Sequence, residues 1–168
     1  MAVLNKFANA LVAAGKKGPP IATGGAHVLA LAGTYELAAA DDDASVLRIG
    51  RLPANAIPLW GTLHCDAIAS MTSLDVGLYK PGVDGAVVDK DLFVAAIDLN
   101  AGVAITTDAV NMLTNLGGAD PVAAIGKTLW ELLGLTKPNR QDYDLAITFN
   151  TIGSAAGTIS WRFLYAIG

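Results

Sequence analysis

From residue 26 onward, large apolar side chains alternate with small or polar ones at a period of two, and that alternation limits what the chain can fold into. Successive side chains of a strand point to opposite faces, so this pattern builds strands with one buried and one open face. Leu29, Leu31, Tyr35 and Leu37 alternate with Ala30, Ala32, Thr34 and Glu36. Leu47 and Ile49 flank Arg48 in a second segment, which Pro53 ends. Ile57, Leu59, Leu63 and Cys65 share a face of the third, with Trp60, Thr62, His64 and Asp66 opposite. Leu74, Val76 and Leu78 alternate with Asp75 and Tyr79 before a turn at Lys80-Pro81-Gly82. Phe93, Ala95, Ile97 and Leu99 continue the series, and Val103 to Thr106 adds a shorter piece. The clearest strands come last: Tyr143, Leu145, Ile147 and Phe149, then Ile159, Trp161, Phe163, Tyr165 and Ile167. The loop between them, Gly153-Ser154-Ala155-Ala156-Gly157, predicts a hairpin.

About eight short strands with turns between them predict an all-β fold, an antiparallel β-sandwich of jelly-roll type. One helical insert is expected near 128–134. Thr128 and Glu131 have capping-box spacing, and Gly134 supplies a stop after Leu132-Leu133. The first residues follow a different period. Val3, Leu4, Phe7, Ala8, Leu11 and Val12 fall on one helical face, with Asn5, Lys6 and Asn9 opposite. Gly15 ends that helix, and Lys16 to Pro20 with Thr23-Gly24-Gly25 reads as a linker. The division is therefore an N-terminal helix or arm with linker over 1–25 and a β-sandwich domain over 26–168. Polar residues interrupt any signal-peptide core, and the lysine pair follows the apolar stretch, so the arm reads as retained.

Composition decides which partners such a sandwich suits. Of 168 residues 53% are hydrophobic and only 15% charged, against about 25% charged in an average soluble domain. Too few charges remain to cover the surface, and apolar surplus of this kind marks interfaces. Apolar runs break well before the roughly 18 residues a membrane span needs, so no membrane partner is expected. The net charge of −4 and scattered cations give no basic stripe, so no nucleic acid is expected either.

Catalytic constellations are sparse. His27 and His64 are the only histidines, too few for the several imidazoles of a jelly-roll metal site, and no spacing supports Asp66 or Glu36 as a third ligand. In His64-Cys65-Asp66 the alternation puts the thiol with the core row and its neighbours on the other face, so no base reaches it. Cys65 is the single cysteine, excluding an internal disulfide. Gly153 to Thr158 lacks the lysine of a phosphate loop. Asp84, Asp89 and Asp91, with Asp41 to Asp43, lack the spacing of a calcium loop and read as turn chemistry. No enzyme activity and no cofactor are expected. Trp60 and Tyr79 are the aromatics placed on outward faces, where such residues anchor protein contacts.

The segments Ile57-Pro58-Leu59-Trp60-Gly61, Ser73 to Tyr79, Asp91 to Gly102, Leu129 to Thr136, Tyr143-Asp144-Leu145 and Gly153 to Thr158 form an ordered series. Over residues 28–168 that series resembles a family of small virion structural proteins of tailed phages. The resemblance implies a decoration (cement) protein on the capsid exterior, made in the host cytoplasm and stabilising the head. The implied partners are the major capsid protein and further copies of the chain, as homodimer or homotrimer. Leu4, Phe7 and Leu11 of the arm, with Trp60 and Tyr79, are the expected contact residues. The alternatives are a carbohydrate-binding module serving as a virion adhesin and, less well supported, a jelly-roll metalloenzyme.

Overall fold

Strand pairing in the computed structural model is nested, like one long hairpin folded over on itself. The structure describes residues 27–38, 43–68, 71–100, 110–116, 121–151 and 156–168. The expected arm helix with Leu4, Phe7 and Leu11, the linker and the short piece at 103–106 lie outside them. The strands are β1 (Val28–Leu37), β2 (Val46–Pro53), β3 (Ala56–Cys65), β4 (Ser73–Tyr79), β5 (Val87–Ile97), β6 (Val110–Asn111), β7 (Asp142–Thr151) and β8 (Gly157–Ile167). First pairs with last, second with seventh, third with sixth and fourth with fifth, all antiparallel. Rolling up that ribbon sets β8 beside β3 and β7 beside β4. The result is two four-stranded sheets, β1-β8-β3-β6 and β2-β7-β4-β5, which is the double Greek key of a jelly roll.

The core lies between the sheets and is made by the inward rows that the alternation marks. Leu74, Val76, Leu78, Tyr143, Leu145, Ile147 and Phe149 from the second sheet meet Leu63, Ile159 and Phe163 from the first. Phe93 and Phe163 touch edge to face across the gap, with ring centroids 5.3 Å apart, and each such fully buried side chain contributes about 1.5–3 kcal/mol. Cys65 is buried with this row.

Two local expectations change. The Gly153–Gly157 loop, mostly outside the described residues, does not join a hairpin. β7 pairs with β2 and β4, whereas β8 pairs with β1 and β3. Because β7 and β8 belong to different sheets, their two aromatic rows face each other across the core instead of lying side by side. Gly and Ser give a chain the freedom to turn without specifying which sheet it enters. The second change is a bulge. Pairing with β8 slips between Pro58 and Trp60, so Leu59 becomes exposed and Pro58 takes the inward position. One extra residue reverses the faces of everything before it.

The helical insert forms as its caps dictate. Two short helices, α1 (Pro121–Ala124) and α2 (Leu129–Leu132), lie between β6 and β7. The Glu131 carboxylate accepts the Thr128 backbone N–H at 2.8 Å and its hydroxyl at 2.6 Å. Gly134 takes a φ of +69°, open to glycine at no steric cost. Its N–H then reaches the Glu131 carbonyl, and the Leu135 N–H that of Trp130, a Schellman stop. The Trp130 N–H donates to the Ala54 carbonyl at 3.1 Å, tying this insert to the tight β2–β3 connection.

Candidate functional site

The two outer sheet faces differ in kind, and the difference grows out of their charged residues. On the second sheet, alternation turns Arg48, Arg51, Asp75, Tyr79, Asp144 and Thr148 outward. Pairing of β2 with β7 sets Arg51 opposite Asp144, and the Arg51 Nε donates to the carboxylate at 2.8 Å. Arg48 donates to the other oxygen at 3.3 Å. It also donates to three carbonyls of the β4–β5 loop: Lys80 at 3.1 Å, Val83 at 3.1 Å and Gly85 at 3.0 Å. The Gly82 N–H completes the shell of Asp144 at 3.0 Å. A planar guanidinium has donors enough to staple a loop in this way, where an ammonium does not. Residues 80–86 therefore lie folded onto the sheet as a roof.

Two carboxylates of this face, Asp144 beside the loop and Asp75 further along β4, titrate below their ordinary range. Burial pushes Asp144 up, but the hydrogen bond from Arg51, the Gly82 N–H and the charges of both arginines outweigh it and set it below the usual carboxylate range. Asp75 behaves alike. Burial raises it, while the Ala96 N–H, Lys90 and Asn150 together bring it below its ordinary value. Lys90 reaches Asp75 at 2.7 Å. The Ala96 N–H donates to Asp75 at 2.8 Å, which steadies a residue with a φ of +49°, a region alanine avoids. Asp89 moves the other way, pushed up by burial and by its hydrogen bond to Asp91. Opposite charges are paired on this face: Arg48 and Arg51 with Asp144, and Lys90 with Asp75.

Tyr79 belongs to this closed face. The alternation places it outward, as expected, yet it is only 4% exposed. The Arg48 guanidinium sits 5.2 Å from its ring centroid, and its hydroxyl hydrogen-bonds Thr148 at 2.7 Å. Outward on a sheet is not the same as open to solvent, because the neighbouring strands and the loop supply a second layer. In the single chain Tyr79 is thus buried against its own sheet.

The first sheet is open. Its outward row holds Ala30, Ala32, Thr34 and Glu36 on β1, Thr158, Ser160, Arg162 and Leu164 on β8, and Trp60, Thr62 and His64 on β3. A groove of about 600 Å³ runs over these strands, lined by Ala32, Thr34, Trp60, Thr62, His64 and Arg162. Trp60, just after the bulge at Leu59, keeps 43% of its surface exposed. Thr34 and Ser160 hydrogen-bond to each other across β1 and β8. Arg162 lies opposite Thr62, diagonal to Trp60, and makes no ion pair among the described residues. Alternation in the last strand marks Arg162 as outward, but nothing local brings it beside Trp60. That requires the β3–β8 pairing, between segments about a hundred residues apart.

Cys65 and His64 point to opposite sides of β3. Asp66 accepts the Thr158 N–H at 3.1 Å. Among the described residues no group of three or more His, Cys, Asp or Glu side chains is placed to hold a metal ion. Among them, too, no helix is long and apolar enough to cross a membrane.

The chain is thus a two-sheet jelly roll with one face covered by a loop and one face open. No known family profile and no curated protein matches the chain. Solved structures do. A chain of the cyanophage Pam1 capsid asymmetric unit matches with a TM-score of 0.57 and 19% identity, covering 100% of both chains. A chain of the capsid of Ralstonia phage GP4 matches with a TM-score of 0.54 and 18% identity, over 90% of each. At these identities the likeness is one of fold. Both neighbours come from phage capsids, the class to which the ordered sequence segments are similar.

Proposed function

We propose that this protein is a structural, non-enzymatic component of a tailed-phage virion, and specifically a decoration protein that binds the outside of the major capsid protein lattice and stabilises the head. The observation that carries the proposal is the sharing of one fold, along the full chain, with a chain of a phage capsid asymmetric unit. The open outer face of β1-β8-β3 supports it, because its groove holds an exposed indole and the Arg162 guanidinium, and Trp and Arg are residue types enriched at protein interfaces. Trp60 is the anchor of that contact. Leu4, Phe7 and Leu11 add a second attachment point, so that many weakly bound copies hold the lattice by multivalency.

The test is cosedimentation of the purified chain with shells assembled from the major capsid protein of the same phage. Full occupancy is expected for the wild type. Trp60→Ala weakens binding at least about tenfold, as an interfacial tryptophan does, with thermal unfolding unchanged. Deleting residues 1–18 also lowers occupancy and leaves the sandwich folded. A wild-type chain that fails to sediment with shells overturns the proposal. Wild-type occupancy by both variants removes Trp60 and the arm from it.

A second reading, a glycan-binding adhesin, draws on the same groove, where Trp60 stands among the hydroxyls of Thr34 and Thr62. A glycan array separates the two, since a decoration protein binds no sugar there.

A further inference from the structure

We infer that two copies of this chain pair along the free edge of β1, antiparallel about a two-fold axis through Ala32, so that the β1-β8-β3-β6 sheet runs on from one copy into the other. Among the described residues β8 is the only strand partner of β1. About five of its ten residues therefore turn backbone N–H and C=O groups to an unpaired edge. Such an edge is a template for another strand, and proteins that do not use one blunt it with charge, proline, bulges or brevity.

The other edges of this sandwich are blunted in those ways. β2 carries Arg48, Arg51, Pro53 and a register shift. β5 carries Asp89, Lys90 and Asp91 with repeated register shifts. β6 is two residues long. β1 has none of these protections: it is ten residues of regular register, Val-Leu-Ala-Leu-Ala-Gly-Thr-Tyr-Glu-Leu, charged only at Glu36.

The occupant follows from what the chain can offer. Residues 15–25, just before β1, hold Pro19, Pro20 and four glycines, and proline cannot donate to a ladder, so they make a poor strand to fold back on it. β1 itself is complementary to its own copy. About Ala32 the smallest side chains meet at the axis, Ala32 on Ala32 and Ala30 on Thr34. On the inner side Leu29 falls opposite Tyr35 and Leu31 opposite Gly33. Leu29 and Tyr35 are each 37% exposed in the single chain, and in the pair each covers the other.

The inference concerns the chain alone in solution and stands or falls separately from capsid binding. Sedimentation of the full chain is expected to give a species of about twice 17.2 kDa at high concentration. Ala32→Lys places two ammonium groups at the axis and shifts it to monomer, while the exposed position leaves circular dichroism unchanged and the wild type's excess Tm grows with protein concentration. Ala32→Cys gives a disulfide-linked dimer under mild oxidation, because paired Cα atoms about 4.5–5.5 Å apart are within bridging reach. Thr136→Cys, beyond α2, does not. A monomeric wild type overturns the inference, as does an oligomer that survives Ala32→Lys or that leaves the thiols of the Ala32→Cys variant unlinked. An oligomer held by residues 1–25 shows itself by that survival.

Discussion

Replacing Arg48 by methionine tests whether the second sheet is closed by one side chain. Methionine keeps the unbranched stem over Tyr79 and removes the guanidinium. Four hydrogen bonds go with it: those to the carbonyls of Lys80, Val83 and Gly85 and the one to Asp144. The carbonyls sit at the surface and rehydrate, so each loss costs about 0.5 kcal/mol, the low end for a hydrogen bond. Asp144 keeps Arg51 and the Gly82 N–H, which limits its share to about 1 kcal/mol. The cation over Tyr79 adds about 0.5 kcal/mol. The sum is about 3 kcal/mol, a fall in Tm of about 6–12 °C for a chain of this size. Urea unfolding reads the total, and amide exchange reads its location. The Lys80 N–H, bonded to the Ala86 carbonyl, and the Gly85 N–H, bonded to that of Gly82, lose more protection than the β7 ladder, whose amides change only with global stability. A variant within about 0.5 kcal/mol of wild type, with loop amides equally protected, would refute the idea that Arg48 holds the roof.

Gly77→Ala is expected to cost more than about 3 kcal/mol or to prevent folding, because a Cβ there would lie 2.1 Å from the Asp89 carbonyl oxygen and backbone cannot step aside as a side chain can. Gly82→Ala, in open space but at a φ of +109°, costs about 1–3 kcal/mol of backbone strain, and chemical denaturation ranks the two. Stability falls on acidification. Asp75 and Asp144 have folded-state pKa values below their unfolded ones, so their contribution is complete above about pH 5 and disappears as pH drops through the folded values, below about pH 4. Asp89, raised in the folded state, runs oppositely and softens the decline. Unfolding free energies measured from pH 7 to pH 2 should lose their steep acid limb in the Asp75→Asn, Asp144→Asn double variant.

The periodicity of side chains is enough to read the two inward rows, because a buried face imposes its pattern on every strand that supplies it. The caps of α2 are equally plain, since Thr128, Glu131 and Gly134 act within one turn. What escapes such a reading are features set by pairing at a distance. A bulge at Leu59 leaves no mark on hydrophobicity, yet it turns Leu59 out and Pro58 in. The step from β7 to β8, strands of different sheets, reads as a hairpin because Gly and Ser suit either connection. Tyr79 carries an outward position, but its cover comes from Arg48, about thirty residues upstream, and from a loop whose path depends on that arginine. Opposite charges at outward positions, Arg48 and Arg51 against Asp144, are a readable hint. Only the β2–β7 register makes them neighbours.

The nested pairing also sets an order on assembly. β4 and β5 adjoin in sequence and can meet as soon as both exist, whereas Val28 must wait for Ala166, 138 positions later. Loops that long close slowly and late. On the ribosome, then, β1 leaves the exit tunnel long before its mate is made, and the roll zips from its middle outward once synthesis is nearly done. Damage should travel the same path backwards, with the β1–β8 seam parting first while the fourth and fifth strands hold on.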